Sequence, residues 1–173
     1  IEFPLACAIA KRIKDNAPST IIILGGAHAN ALPSQSLSES PEFDYLIAGE
    51  AESSIVEFVK SVRDGSTPDL ISGLYRRTND NSIVSSVTAR YDHDIESLPF
   101  PAWELFPRLK NYPIMAERGC PYSCSFCSKN MSKRVRTRST AHVMEELKWL
   151  HSDFSPQWIY FEDETFGLNR ERT

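Results

Sequence analysis

A chain of 173 residues, 41% hydrophobic and 24% charged, carries enough apolar side chain for one or two cores and too little compositional bias for disorder. Its net charge of −4, with no strongly basic segment, argues against a nucleic-acid binder and favours a small-molecule substrate. No apolar run approaches the roughly 20 residues that cross a bilayer, so no membrane span is expected.

The start at Ile1-Glu2-Phe3 lacks an initiator Met and the order of a signal peptide, so it reads as the middle of a longer chain. Residues 2–16 place Leu5, Ile9 and Ile13 four apart, the spacing of an apolar stripe on a helix. Thr20 to Leu24 is a β-branched run ending in Gly25-Gly26, the pattern of a strand buried on both faces of a parallel sheet. A second unit follows, with a strand over Phe43 to Ala48, Gly49, and a helix marked by Ile55, Val59 and Val62 that closes near Gly65. This alternation predicts a partial doubly wound, Rossmann-like α/β domain over residues 1–90, whose ligands bind beyond the carboxyl ends of the strands.

Residues 73–90 read as a hairpin turning at Thr78-Asn79-Asp80-Asn81 and capping that domain. Residues 91–113 hold four prolines among scattered aromatics and read as a linker. The segment 114–173 opens a new unit: a short strand at Ile114-Met115-Ala116, a cysteine loop, a basic stretch, and a helix with Val143, Leu147 and Leu150 on one face. Ser139 or Thr140 would cap that helix. The strand Trp158 to Phe161 completes one β-loop-α-β unit of an α/β barrel, whose full form needs about 250 residues. Asn169 to Thr173 reads as the first turn of a helix that the chain does not continue.

Three of the four cysteines fall within eight residues, which suits metal binding in a reducing, cytoplasmic compartment better than a disulfide framework. Cys120, Cys124 and Cys127 give CxxxCxxC spacing, close enough to surround one compact metal centre. A closed structural zinc site normally takes four ligands, and no second Cys or His pair accompanies these three. Cys7, in the first helix, suits a small buried apolar role. Three ligands on a four-iron cluster would leave one iron open to a small molecule; a zinc knuckle completed by a residue elsewhere is the competing reading.

The run Glu117-Arg118-Gly119-Cys120-Pro121-Tyr122-Ser123-Cys124-Ser125-Phe126-Cys127-Ser128 resembles the cluster loop of radical S-adenosylmethionine enzymes, including the aromatic before the last cysteine. That resemblance, over residues 114–173, implies that the three thiolates hold three irons of a [4Fe-4S] cluster and that S-adenosylmethionine chelates the fourth. It implies one-electron cleavage of a carbon-sulfur bond to release a 5′-deoxyadenosyl radical, with an external electron donor such as a flavodoxin or ferredoxin. It also places Phe126 near the adenine, and at least one of Glu162, Asp163 and Glu164 near the methionine ammonium, where a carboxylate is physically sensible; a solvated acidic turn after the strand is the alternative. Lys129, Lys133, Arg134, Arg136 and Arg138 follow the loop; Arg138 is the candidate for a methionine or substrate carboxylate, and a solvated basic face is the alternative.

Gly25-Gly26-Ala27-His28 at a strand-to-helix junction, with Gly49-Glu50 one strand later, resembles the cobalamin-binding domain of B12-dependent radical S-adenosylmethionine proteins over residues 1–65, and Leu98 to Trp103 is similar to their linker. The resemblance implies that Gly25 and Gly26 line the groove for the cofactor's nucleotide tail, that Gly49 and Glu50 belong to the cobalamin site at the neighbouring strand end, and that His28 either touches the cofactor or caps its own turn. The family's Asp-x-His-x-x-Gly motif is absent from these 173 residues. The leading expectation is thus a cobalamin-dependent radical enzyme for methyl transfer, rearrangement or cyclisation. The alternatives are a radical enzyme with a scaffold in place of the cobalamin domain, and a non-catalytic iron-sulfur or zinc module.

Overall fold

The fold follows from which faces of four short strands are apolar. The computed structural model describes residues 2–85, 87–91, 94–127 and 132–168, and the chain divides into two units, residues 1–91 and 92–173. In the first, β1 (Ile23–Leu24) and β2 (Tyr45–Ile47) pair in parallel, and β3 (Leu74–Arg77) and β4 (Ile83–Ser85) extend the sheet antiparallel in the order β1-β2-β3-β4. Successive strand residues point to opposite faces, so Leu24 and Leu46 join one core while Ile47 joins another. The first core takes Ala10 of α1 (Glu2–Asn16), Ala29 of α2 (Ala27–Ala31) and Leu37 of α3 (Pro33–Glu39). The second takes Phe58 of α4 (Glu52–Arg63) with Ile71 and Leu74. Helices thus cover both faces of the parallel pair, as a doubly wound arrangement requires.

Three details differ from the sequence reading. Strand β1 begins at Ile23 rather than Thr20, because the Asp44 carboxylate accepts the Ile22 N–H at 2.7 Å and takes Lys14 of α1 at 2.8 Å. The hairpin around Asn79 forms, but it continues the sheet by pairing β3 with β2. Helices α1 and α4 are rotated relative to the expected stripes. Leu5, Ile9 and Ile13 are exposed while Phe3, Ala6, Cys7 and Ala10 face the core, and Ser54 and Phe58 are the buried residues of α4. Small residues let α1 approach the sheet closely, and Cys7 Sγ lies 3.1 Å from Ser40 Oγ.

The second unit is a single parallel β-α-β crossover: β5 (Asn111–Ile114), α5 (Thr140–Phe154) and β8 (Trp158–Phe161), with β5 and β8 in register from Asn111↔Trp158 to Ile114↔Phe161. Strand β5 starts three residues ahead of the expected Ile114, because Tyr112, 1% exposed, packs against Trp103 and Phe154. Val143 and Leu150 of α5 join Tyr112, Ile114 and Ala116 in the core. Ser139 is the N-cap, accepting from the His142 N–H, and its own N–H and hydroxyl donate to the Glu96 carboxylate at 2.5 Å each. Those hydrogen bonds from Ser139 hold the Glu96 carboxyl below its usual pKa. Between β5 and α5 runs a short antiparallel ribbon, β6 (Glu117–Arg118) with β7 (Arg136–Thr137). The helix opening expected at Asn169 to Thr173 lies outside the described residues.

Arg138 fastens α5 to the end of β5. Its guanidinium donates to Met115 O at 2.8 Å and to Glu146 Oε2 at 2.5 Å, and it lies 5.5 Å from the centroid of the Phe100 ring. The side chains of Arg138 and Glu146 are 9% and 1% exposed, so each charge depends on the other.

Two stability predictions follow from these contacts. Glu146→Ala strands a buried guanidinium and should cost about 3–5 kcal/mol in urea unfolding, while Arg138→Met with Glu146→Leu should cost far less than the sum of the two single changes. Additive losses would contradict a mutually dependent pair. Gly73 and Gly65 both have positive φ, +70° and +67°, but a Cβ at Gly73 would lie 2.1 Å from Ala48 O and one at Gly65 meets nothing within 4 Å. Gly65→Ala should therefore cost only the left-handed backbone penalty, about 1–2 kcal/mol, and Gly73→Ala at least about 2 kcal/mol more. Equal losses would mean that the strand end yields at Ala48.

Candidate functional site

At the carboxyl ends of β1 and β2 the chain places Gly25-Gly26 and Gly49-Glu50 side by side, since Leu24 pairs with Leu46. Gly26 has φ +94° and ψ −175°, heads α2, and would offer a Cβ nothing within 4 Å. Gly25 is outside the left-handed region, and its Cβ would meet only Ile47 O at an ordinary 3.8 Å. The double glycine is therefore an open cradle of main chain. At Gly49, with φ +87°, the space is filled from within: a Cβ would lie 2.8 Å from the Ala89 methyl. The Gly49 N–H donates to Asn30 Oδ1 at 2.5 Å, tying α2 to the end of β2. His28 is exposed and stacks on Phe3, with ring centroids 4.0 Å apart and planes 19° apart. Glu50 is half-buried near Tyr91, whose hydroxyl is pushed up in pKa first by burial and then by that carboxylate.

The cysteine loop hangs from the β6-β7 ribbon, and its neck is tightly closed. The Cys120 N–H donates to Ser132 O at 3.0 Å, next to the pairing of Arg118 with Arg136. Gly119, with φ +103°, brings its backbone so close that a Cβ would stand 2.5 Å from Arg134 O and 2.9 Å from Ser132 O. Within the loop, the Cys127 N–H donates to Cys124 O at 3.2 Å in a tight turn, and Lys133 Nζ reaches Ser123 Oγ at 3.0 Å. Cys124 is exposed, Cys120 and Cys127 are half-buried, and none is in a disulfide. Phe126, 90% exposed, projects beside them. Among the described residues no three His, Cys, Asp or Glu side chains converge closely enough to hold a metal ion. Three soft thiols on one closed loop nevertheless form a donor set suited to iron or iron-sulfur, and metal binding commonly organises such ligands.

The segment after β8 lies against the start of this loop. The Glu162 N–H donates to Ile114 O at 2.9 Å, and its carboxylate is on an exposed residue. Asp163 Oδ1 accepts from the Ala116 N–H at 2.8 Å and the Glu117 N–H at 2.6 Å. Its Oδ2 is buried with no hydrogen-bond partner among the described residues. Burial pushes the Asp163 carboxyl above its usual pKa, against the lowering effect of those two N–H groups. Glu164 Oε2 accepts from the Gly119 N–H at 3.1 Å, and Thr165 Oγ1 donates to Gly119 O at 3.3 Å.

The five cations after the loop divide by environment. Lys133 and Arg134 are exposed, Arg136 is buried in β7, and Arg138 is buried against Glu146 rather than facing the cysteines as an open cation. Lys129 lies outside the described residues. Asn30, Ala89 and Ser132, which sequence reasoning passed over, prove to be the partners of Gly49 and Cys120. Only Asn30, two residues after His28 and so near the same strand end, left a trace in the sequence.

No protein-family model matches the chain. A methyltransferase of uncharacterised specificity from Pyrococcus horikoshii is 32% identical over 173 residues, covering 95% of this chain and 37% of the relative. The anaerobic magnesium-protoporphyrin IX monomethyl ester cyclase of Cereibacter sphaeroides is 31% identical over 90% of this chain and 27% of its own length. The cobalamin-dependent radical SAM methyltransferase TokK of Streptomyces tokunonensis is 27% identical over 92% of this chain and 25% of its own. The chain thus spans about a quarter to just over a third of these curated relatives. Among solved structures, the radical S-adenosylmethionine methyltransferase TsrM of Kitasatospora setae, bound to tryptophan and a SAM analogue, matches 96% of this chain and 34% of its own, with a TM-score of 0.76 at 19% identity. The cobalamin-dependent radical enzyme OxsB, with aqua-cobalamin and S-adenosylmethionine bound, matches 95% of this chain and 24% of its own, with a TM-score of 0.73 at 21% identity. Alongside the CxxxCxxC loop and the double-glycine strand end, these likenesses relate the chain to cobalamin-dependent radical SAM methyltransferases and to the anaerobic cyclases, and give it the fold of the matched parts of TsrM and OxsB.

Proposed function

We propose that this chain contributes the cluster loop and the cobalamin-facing strand ends of an enzyme that starts radical chemistry on a small molecule, by methyl transfer or by rearrangement or cyclisation. The observation that carries the reading is the closed-neck loop, which carries Cys120, Cys124 and Cys127 on one short segment beyond the carboxyl end of β5 in a parallel β-α-β unit. In this reading residues 114–173 form the first part of a radical SAM barrel, and residues 1–90 a cobalamin-binding domain joined to it through 91–113.

The three thiolates would hold three irons of a [4Fe-4S] cluster. When bound, such a cluster supplies one electron to S-adenosylmethionine, whose carbon-sulfur bond then breaks to give methionine and a 5′-deoxyadenosyl radical. The chain's own residues bind and orient. Phe126 offers an exposed aromatic face for the adenine, and Glu162 offers an exposed carboxylate for the methionine ammonium. Gly25 and Gly26 leave main chain open to a large ligand, and His28, Gly49 and Glu50 rim that opening. The external reductant would be a protein such as flavodoxin or ferredoxin. The packing of Ala89 into Gly49 favours a second reading, in which the first unit is a scaffold without cobalamin.

In the intact protein reconstituted with iron and sulfide, replacing Cys120, Cys124 or Cys127 by Ala should abolish 5′-deoxyadenosine formation, and Cys7→Ala should leave it unchanged. Wild-type turnover by Cys124→Ala would refute the ligand assignment. For cobalamin, Gly25→Val is the cleaner probe, because Gly26 combines openness with a backbone that resists any side chain. Hydroxocobalamin binding should weaken at least about tenfold, about 1.4 kcal/mol, with an unchanged circular dichroism spectrum. Unchanged affinity removes the glycine-cradle assignment, and no binding by the wild type favours the scaffold.

A further inference from the structure

We infer that Asp163 is a positioning residue for the cluster, bending the chain at Ala116-Glu117 so that the cysteine loop leaves the β5-β8 sheet in one fixed direction. The inference rests on the cluster reading above and removes Asp163 from the carboxylates available to the methionine ammonium, leaving that role to Glu162.

In an extended strand successive N–H groups point to opposite edges, so one oxygen cannot take two in a row unless the backbone bends between them. Asp163 Oδ1 takes two in a row, from Ala116 and Glu117. The bend falls between the end of β5 at Ile114 and the start of β6 at Glu117, where the chain passes from the parallel pair into the ribbon that carries the cysteines. The two following residues fasten the next turn: Glu164 holds the N–H of Gly119 and Thr165 its carbonyl, directly before Cys120. Three consecutive side chains from the end of β8 thus fix the backbone of residues 116, 117 and 119. A ligand role for Asp163 fits this geometry poorly, since Oδ1 is already doubly engaged and Oδ2 is buried. The rise in its pKa from burial accords with a carboxylate held away from water. Glu162, one residue earlier and exposed, is under no such constraint.

Asp163→Ala removes the acceptor, Asp163→Asn keeps an oxygen at the Oδ1 position while deleting the charge, and Glu162→Gln tests the neighbour. All three would be made in the intact protein and read in two states. Without metal, amide hydrogen exchange at Ala116 and Glu117 should speed up at least about tenfold in Asp163→Ala and stay near wild type in Asp163→Asn. After anaerobic reconstitution, Asp163→Ala should hold less than half the wild-type iron and sulfide, or give a shifted electron paramagnetic resonance spectrum of the reduced cluster. Asp163→Asn should restore loading and spectrum, and bind S-adenosylmethionine within about twofold of wild type. Glu162→Gln should load normally and bind S-adenosylmethionine at least about tenfold more weakly.

Wild-type loading and spectrum in Asp163→Ala would overturn the inference. So would an Asp163→Asn protein that loads normally but loses S-adenosylmethionine, because the charge would then be the functional element. If Asp163→Ala does not fold, the Asn variant decides alone by that same affinity. A wild-type protein that takes up no iron would overturn both the cluster reading and this inference, whereas a loaded wild type with an indifferent Asp163 overturns this inference only.

Discussion

Three thiols separated by three and two residues can reach one metal centre at lower cost in chain entropy when the loop that carries them is closed at its base. Here the closure is made by backbone. Gly119 approaches the carbonyls of Ser132 and Arg134 more closely than any side chain would permit, Cys120 bonds Ser132, and the β6-β7 ladder continues below. Closing such a loop costs chain entropy that grows only slowly with its length, so a few well-placed hydrogen bonds at the neck suffice. Within the loop, Cys124 and Phe126 are exposed, Cys120 and Cys127 are half-buried, and a turn joins Cys124 to Cys127. Everything else in the second unit orients that neck: Arg138 and Glu146 fix α5 against the end of β5, and the residues after β8 fix the exit from β5.

Both units place their candidate chemistry at the carboxyl ends of parallel strands, where the backbone diverges and ligands find room. They use glycine there for two different ends. Gly26 leaves space unfilled, while Gly49 and Gly73 make way for the chain's own Ala89 and Ala48. Carboxylates divide in the same manner. Glu162 stays in solvent, whereas Asp163 and Glu164, its immediate neighbours, are spent on backbone N–H groups. Residue type alone does not distinguish the two uses, and only the environment separates a ligand-facing group from a fastening one.

Much of this was legible in the chain itself because it is local. The CxxxCxxC spacing, the Ser139 cap, the apolar face of α5 with Val143 and Leu150, and the strand at Trp158 to Phe161 are all written within a few residues of one another. What escaped is non-local. Asp163 meets Ala116 across 47 positions, Gly49 meets Ala89 across 40, and Arg138 finds Glu146 across the boundary of a helix cap, where no helical spacing applies. The stripes on α1 and α4 misled for another reason. Periodicity identifies an apolar face, but close approach through Ala6 and Ala10, or through Ser54 donating to Ser72 O, decided which side met the sheet. Strand β1 was shortened by a side chain, Asp44, that occupies a ladder position no propensity records.

The chemistry proposed for the cysteine loop depends on an iron-sulfur cluster with one iron open to S-adenosylmethionine. The most direct measurement is electron paramagnetic resonance on the reduced, reconstituted protein, before and after S-adenosylmethionine labelled with nitrogen-15 at its amino group. A [4Fe-4S] signal that shifts on addition and acquires hyperfine coupling to the label is the expected result. A cluster signal indifferent to S-adenosylmethionine, or a colourless protein holding one zinc per chain, would contradict it.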